Sequence, residues 1–161
     1  MAAIATEDRL KVRPIHPTFA AEIEDLDLAH PLDDATFAAV RDAFETYGLL
    51  VFRNQSLSMD QQLAFSRRFG PLEAFPEEAV QKVKPEFYNI SNVDESNRIA
   101  GAKSVQWRLL QFNALWHTDS SYRTIPALAS ILLALEVPDA SEPGGQTEYA
   151  DMFAAYDALP E

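Results

Sequence analysis

His117-Thr118-Asp119 places an imidazole and a carboxylate two residues apart. On an extended segment, side chains at that spacing leave the same face, so both can converge on one ion. Such a pair supplies two corners of the two-His, one-carboxylate facial site that holds non-haem Fe(II) and leaves positions open for substrate and oxygen. In a chain with 25 acidic residues and three His, the spacing also arises by accident, so its surroundings have to decide. His16 and His30 each adjoin a proline and lack an acid two residues on; they read as loop or surface histidines.

The elements that must carry this pair are legible on either side of it. Residues 9–28 alternate apolar and polar positions around two prolines, which predicts short strands and turns. Asp33 or Asp34 offers an N-cap, Phe37, Val40, Ala43, Phe44 and Tyr47 recur at helical spacing, and Gly48 supplies a stop. Residues 49–52 form a compact apolar run, read as a buried strand. Ser58 with Gln61 makes a capping box for a second helix over 59–69.

Residues 73–85 are acidic and Pro-containing and read as a loop. A strand is expected over 87–93, ended by Asp94, followed by a polar connection over 95–103. The chain reads as strand again from 109 to 119 and from 127 to 137. A turn is expected over 138–145 and a closing helix over 152–159 capped by Asp151. Helices early and strands late imply an α+β arrangement built on a sheet.

Composition narrows the chemistry further. The 161 residues are 47% hydrophobic and include ten Phe, enough apolar bulk for a core without disulfides. There is no Cys, so a thiol nucleophile and a thiolate metal site are excluded, any metal must be held by nitrogen and oxygen, and a reducing cytoplasm is the expected location. A formal charge of −12 opposes binding to nucleic acid or an anionic membrane. Residues 127–137, the longest apolar stretch, are broken by Ser130 and Glu136 and too short to span a bilayer.

Ser120 lies too close in sequence to His117 and Asp119 to form a nucleophile relay with them, and no Gly-x-Ser-x-Gly elbow is present. Gly144-Gly145 has neither the dinucleotide pattern nor a following lysine. A zinc hydrolase built on His117 and Asp119 would need a further ligand such as His16 or His30. Trp116 is expected to pack rather than react. Arg108, Arg123, Lys82, Lys84 and Lys103 are open candidates for a counter-charge to an anionic substrate.

The wider context carries a resemblance. Asn113-Ala114-Leu115-Trp116-His117-Thr118-Asp119-Ser120-Ser121-Tyr122, then Pro126, an apolar segment and Pro143-Gly144-Gly145-Gln146-Thr147, resemble the taurine/2,4-dichlorophenoxyacetate dioxygenase (TauD/TfdA) family. So do Leu50-Val51-Phe52-Arg53-Asn54-Gln55, Gln61-Gln62-Leu63-Ala64-Phe65, Phe69-Gly70-Pro71-Leu72-Glu73, Ile90-Ser91-Asn92-Val93 and the stretch from Asp151 to Leu159. The similarity is nearest to the aryloxyalkanoate-cleaving branch.

The resemblance implies an Fe(II)- and 2-oxoglutarate-dependent dioxygenase, supported by ascorbate, that hydroxylates a small anionic substrate with O2. It implies His117 and Asp119 as iron ligands, Thr147 as a hydrogen-bond partner of 2-oxoglutarate, and Asn113 and Ser120 as substrate-pocket residues. The implied fold is a double-stranded β-helix, a jelly roll with flanking helices.

The family completes its site with a second His and an Arg far beyond the Gly-Gly-x-Thr segment, whereas here no His follows His117 and Arg123 is the only later Arg. Residues 1–161 are therefore expected to be the N-terminal part of one dioxygenase domain, holding the first half of the jelly roll and inactive alone. Its open sheet edges would be available for association, including between identical copies. The competing reading is a non-catalytic metal- or partner-binding fragment of the same fold.

Overall fold

A sheet and two helices enclose the core of the first part of the chain. The computed structural model describes residues 10–74, 84–93, 96, 98–101, 103–139, 141 and 144–160. It divides into two compact units, Met1–Phe69 with Leu132–Glu161, and Gly70–Ile131.

In the first unit, β1 (Lys11–Pro14) pairs antiparallel with β2 (Ala21–Glu24), and β2 pairs parallel with β3 (Leu50–Phe52), in the order β1-β2-β3. The parallel pairing requires a crossover, and α1 (Asp34–Tyr47) supplies it. Asp33 caps α1 by accepting from the Thr36 amide at 2.7 Å. Gly48, at φ 68, ends it while its own amide donates to the Phe44 carbonyl at 2.8 Å. α2 (Met59–Arg67) begins with the reciprocal box: the Ser58 hydroxyl accepts from the Gln61 amide, and the Gln61 side chain accepts from the Ser58 amide at 2.7 Å.

Ile23, Phe37, Val40, Ala43 and Phe65 are buried together, with Phe52 and Phe69 packed against them. Phe65 meets the rings of Phe37, Phe52 and Phe69 edge-on at centroid distances of 6.3, 5.9 and 5.5 Å, the geometry that aromatic quadrupoles favour. The neighbouring Glu22 is also buried. Its carboxylate accepts from Arg13 at 2.5 Å and from Arg53 at 3.2 Å, so the buried charge is compensated by β1 on one side and by the residue after β3 on the other. In the same unit, Asp151 caps α4 (Met152–Asp157).

The second unit contains α3 (Val105–Asn113), capped by Ser104. The helix replaces the strand expected from residue 109. An N-cap serine followed by a stretch free of Gly and Pro, with Leu, Gln and Arg among its residues, is a helix signal that outweighs local alternation. Over 87–93 the only pairing among the described residues is the isolated bridge Val93 to Ile99. Residues 127–137 form no strand among the described residues, and Leu135 and Val137 are exposed. Apolar content does not make a strand without a neighbour to complete its hydrogen-bond ladder.

The α+β class holds, but its order is reversed. Among the described residues the three strands lie between residues 11 and 52, and the last two helices follow them. β3 is half-buried rather than buried. Residues 75–83 of the expected loop, Lys82 among them, and Asp94 lie outside the described residues.

Candidate metal centre

The site is built at the C-terminal end of α3. Ala114 closes the helix, its amide donating to the Leu110 carbonyl at 3.1 Å, and the Leu115 amide donates to Phe112. Residues 116–118 run on without a strand partner into a turn that begins at Asp119. The extended-strand premise for His117 and Asp119 is therefore corrected. The side chains nonetheless meet: His117 Nε2 lies 3.3 Å from Asp119 Oδ1.

The other two atoms of the pair are engaged away from each other. His117 Nδ1 is 2.6 Å from the Leu115 carbonyl oxygen. That oxygen can only accept, so Nδ1 carries a proton, and Nε2 is left facing the carboxylate. Asp119 Oδ2 accepts from the Ser130 hydroxyl at 2.6 Å, a charge-assisted bond. Nε2 and Oδ1 thus face each other at a separation that a shared proton or a shared cation can bridge.

A cation fits this donor set. Adjacent N and O ligands at roughly 2.1 Å from a metal lie about 3.0 Å apart, close to the separation seen. A ligating imidazole that donates its second N–H to a backbone carbonyl, beside a ligating carboxylate that is itself hydrogen-bonded, is the usual outer support of a metal centre. Both side chains are about half exposed. Among the described residues no three His, Asp or Glu side chains converge as a metal-holding group. His16 packs edge-on against Phe19, and His30 lies near Asp27.

Ser120 follows with φ 58, a left-handed conformation that costs a non-glycine residue about 1 kcal/mol. Its hydroxyl donates to Glu73 Oε2. Arg123 donates to Glu73 Oε1 through Nε at 2.8 Å, and its Nη2 lies 2.6 Å from the same oxygen in an ion pair. The hydrogen bond to Glu73 is the main reason its guanidinium is held even more firmly protonated than usual, with Tyr122 adding to it. Of the candidate counter-charges, Arg123 is thus already matched to a carboxylate.

Asn113 is the last residue of α3, four before His117. Trp116, expected to pack, is exposed. Thr147 belongs to the first unit, in an exposed stretch that follows Gly144 at φ 99 and Gly145 at φ 77. A Cβ on Gly145 would lie 2.8 Å from Pro138 Cγ, so glycine is required there both by conformation and by space. Sequence reasoning missed Glu73, Ser130 and the Leu115 carbonyl. Glu73 and Leu115 lie in stretches that resemble the family, but nothing in those stretches signals these contacts, and the Glu73 and Ser130 side chains reach the site across 47 and 11 residues.

Comparison with known proteins adds to this geometry. The family "Taurine catabolism dioxygenase TauD, TfdA family" matches residues 11–161. The chain is 42% identical over 153 residues to the alpha-ketoglutarate-dependent 2,4-dichlorophenoxyacetate dioxygenase of Cupriavidus pinatubonensis, a match covering 91% of this chain and 52% of that protein. It is 41% identical over 150 residues to the (S)-phenoxypropionate/alpha-ketoglutarate-dioxygenase of Sphingobium herbicidovorans, covering 93% and 48%. The solved structure of AAD-2 in complex with Mn(II) and N-oxalylglycine is similar with a TM-score of 0.63 and 30% identity, over 73% of this chain and 39% of that one. The chain spans about half the length of the curated relatives it matches.

Proposed function

This chain belongs to the TauD/TfdA dioxygenase family, and from that membership we propose that the protein is an Fe(II)- and 2-oxoglutarate-dependent dioxygenase acting on a small anionic substrate, an aryloxyalkanoate such as 2,4-dichlorophenoxyacetate or a sulfonate such as taurine. The observation that carries the reading is the approach of His117 Nε2 to Asp119 Oδ1 at 3.3 Å, with Nδ1 and Oδ2 tied to Leu115 and Ser130. Relatives named for 2,4-dichlorophenoxyacetate and for sulfate esters support the substrate class.

In this proposal His117 and Asp119 are two protein ligands of the iron. When bound, Fe(II) with 2-oxoglutarate supplies O2-dependent hydroxylation of a carbon, with release of succinate and CO2. The chain's own part is positional. The Leu115 carbonyl fixes the imidazole tautomer, and Ser130 fixes the carboxylate rotamer. The Thr147 hydroxyl is assigned to a carboxylate of 2-oxoglutarate, and Asn113 and Ser120 to the substrate pocket. Hydroxylation beside the ether oxygen of an aryloxyalkanoate gives a hemiacetal that separates into a phenol and an oxo acid.

Ascorbate supports activity in this scheme. A cytoplasmic location fits a chain without Cys, and among the described residues no helix is long and apolar enough to cross a membrane. Nucleic acid and membrane surfaces are not partners, in keeping with the charge of −12.

Anaerobic titration of the intact protein with Fe(II) and 2-oxoglutarate is expected to develop the visible metal-to-ligand band, and His117→Ala or Asp119→Ala to remove it. A full-strength band in either variant would refute the assignment. Two ligands hold a metal weakly, so the 161 residues alone are expected to release succinate slowly or not at all. Enzyme-like turnover by that chain would contradict this.

A further inference from the structure

We infer that Glu73 is a positioning residue for the candidate metal centre, gripping the turn that follows Asp119 and thereby setting where the Asp119 carboxylate points; the inference rests on the reading of His117 and Asp119 as ligands. One carboxylate engages both ends of a single turn. The Arg123 amide donates to the Ser120 carbonyl at 3.0 Å, making these two residues the turn's ends. Glu73 Oε2 accepts from the Ser120 hydroxyl, and Glu73 Oε1 accepts from Arg123 Nε at 2.8 Å and pairs with the Arg123 Nη2 end of the guanidinium at 2.6 Å. The Glu73 side chain is only 20% exposed, so water competes weakly for these bonds.

The grip matters because of the backbone it holds. Ser120 directly follows Asp119 and occupies the left-handed region at φ 58, which a serine leaves unless the surroundings over-determine it. Relaxation of Ser120 would change the direction of the chain at Asp119 and move Oδ1 away from His117 Nε2. Residues 116–118 make no strand ladder that could resist the change. The charge-assisted bonds from Glu73, made across 47 and 50 residues, supply that resistance. Glu73 does not approach the metal position in this role; it acts through Ser120 and Asp119.

The test is Mn(II) affinity of the intact protein, read from the free-ion electron paramagnetic resonance signal, for wild type, Glu73→Ala, Glu73→Gln, Arg123→Met and Asp119→Ala. Glu73→Ala is expected to raise the Mn(II) Kd about 10-fold, the low end of the effect of groups that orient ligands. Glu73→Gln, which can accept from Arg123 and donate to the Ser120 oxygen, is expected to recover to within about 3-fold of wild type. Arg123→Met is expected to weaken Mn(II) binding in the same sense as Glu73→Ala and keeps the test open if the alanine variant does not fold. Mn(II) affinity within about 2-fold of wild type in Glu73→Ala or in Arg123→Met, with Asp119→Ala strongly weakened, overturns the inference and leaves the ligand assignment standing. Unchanged affinity in Asp119→Ala overturns the ligand assignment itself and this inference with it.

Discussion

Removing the Ser130 hydroxyl should weaken metal binding without unfolding the protein. Its Oγ donates to Asp119 Oδ2 at 2.6 Å, so Ser130→Ala deletes one charge-assisted hydrogen bond and frees the carboxylate to rotate about its Cβ bond. A hydrogen bond to a charged group contributes roughly 1.5–3 kcal/mol when protected. Here the Asp119 side chain is 58% exposed, and solvent screening reduces the figure to about 1 kcal/mol. At 1.4 kcal/mol per factor of ten, this corresponds to a rise in Mn(II) or Fe(II) Kd of about 5-fold. Anaerobic titration of the intact protein measures it, with urea unfolding of the metal-free protein as the control for general destabilisation. Ser130→Thr keeps the hydroxyl and should restore most of the affinity. An unchanged Kd in Ser130→Ala, in a protein whose Asp119→Ala variant has lost binding, would refute the claim that Ser130 orients the ligand.

Three further outcomes follow from the first unit. Phe65→Ala removes the ring that meets Phe37, Phe52 and Phe69 and should cost about 3–5 kcal/mol in urea unfolding; a loss below about 1 kcal/mol would show that the cluster does not depend on it. Gly48→Ala should cost about 1 kcal/mol through the backbone alone, because its Cβ would come no nearer than 4.0 Å to Phe153 Cε2; unchanged stability would refute the left-handed cap. Asp151 is held below the usual aspartate range, first by the Ala154 amide and then by the Thr18 hydroxyl. Its contribution is therefore complete above the ordinary value of about 3.9 and fades as pH falls below it toward the lower folded value. The Ala154 amide resonance should titrate with a midpoint below 3.9, and a midpoint above it would contradict the cap.

Local signals were enough for the elements whose determinants lie within a few residues of one another. Asp33 and Gly48 bracket α1, Ser58 and Gln61 start α2, and Asp151 starts α4, as expected from caps and periodicity alone. The α2 and α4 ends fell two residues short of expectation, where fraying blurs any boundary. The donor types of the candidate site, an imidazole and a carboxylate at 117 and 119, were equally legible, because chemistry belongs to side chains before it belongs to folds.

Tertiary structure decided the rest. Whether residues 109–113 form a strand or a helix, and whether residues 127–137 pair, depends on neighbours that no short window contains. The same holds for the site's supports: Glu73 meets Ser120 and Arg123 across about fifty residues, and Ser130 reaches back to Asp119 across eleven. Spacing could place His117 beside Asp119, but only folding determined that Nε2 and Oδ1 face each other while the carbonyl of Leu115 and the hydroxyl of Ser130 occupy their other sides. A carboxylate or imidazole is oriented by whichever polar group the chain brings to it, and for all but the nearest of these the meeting is a long-range event.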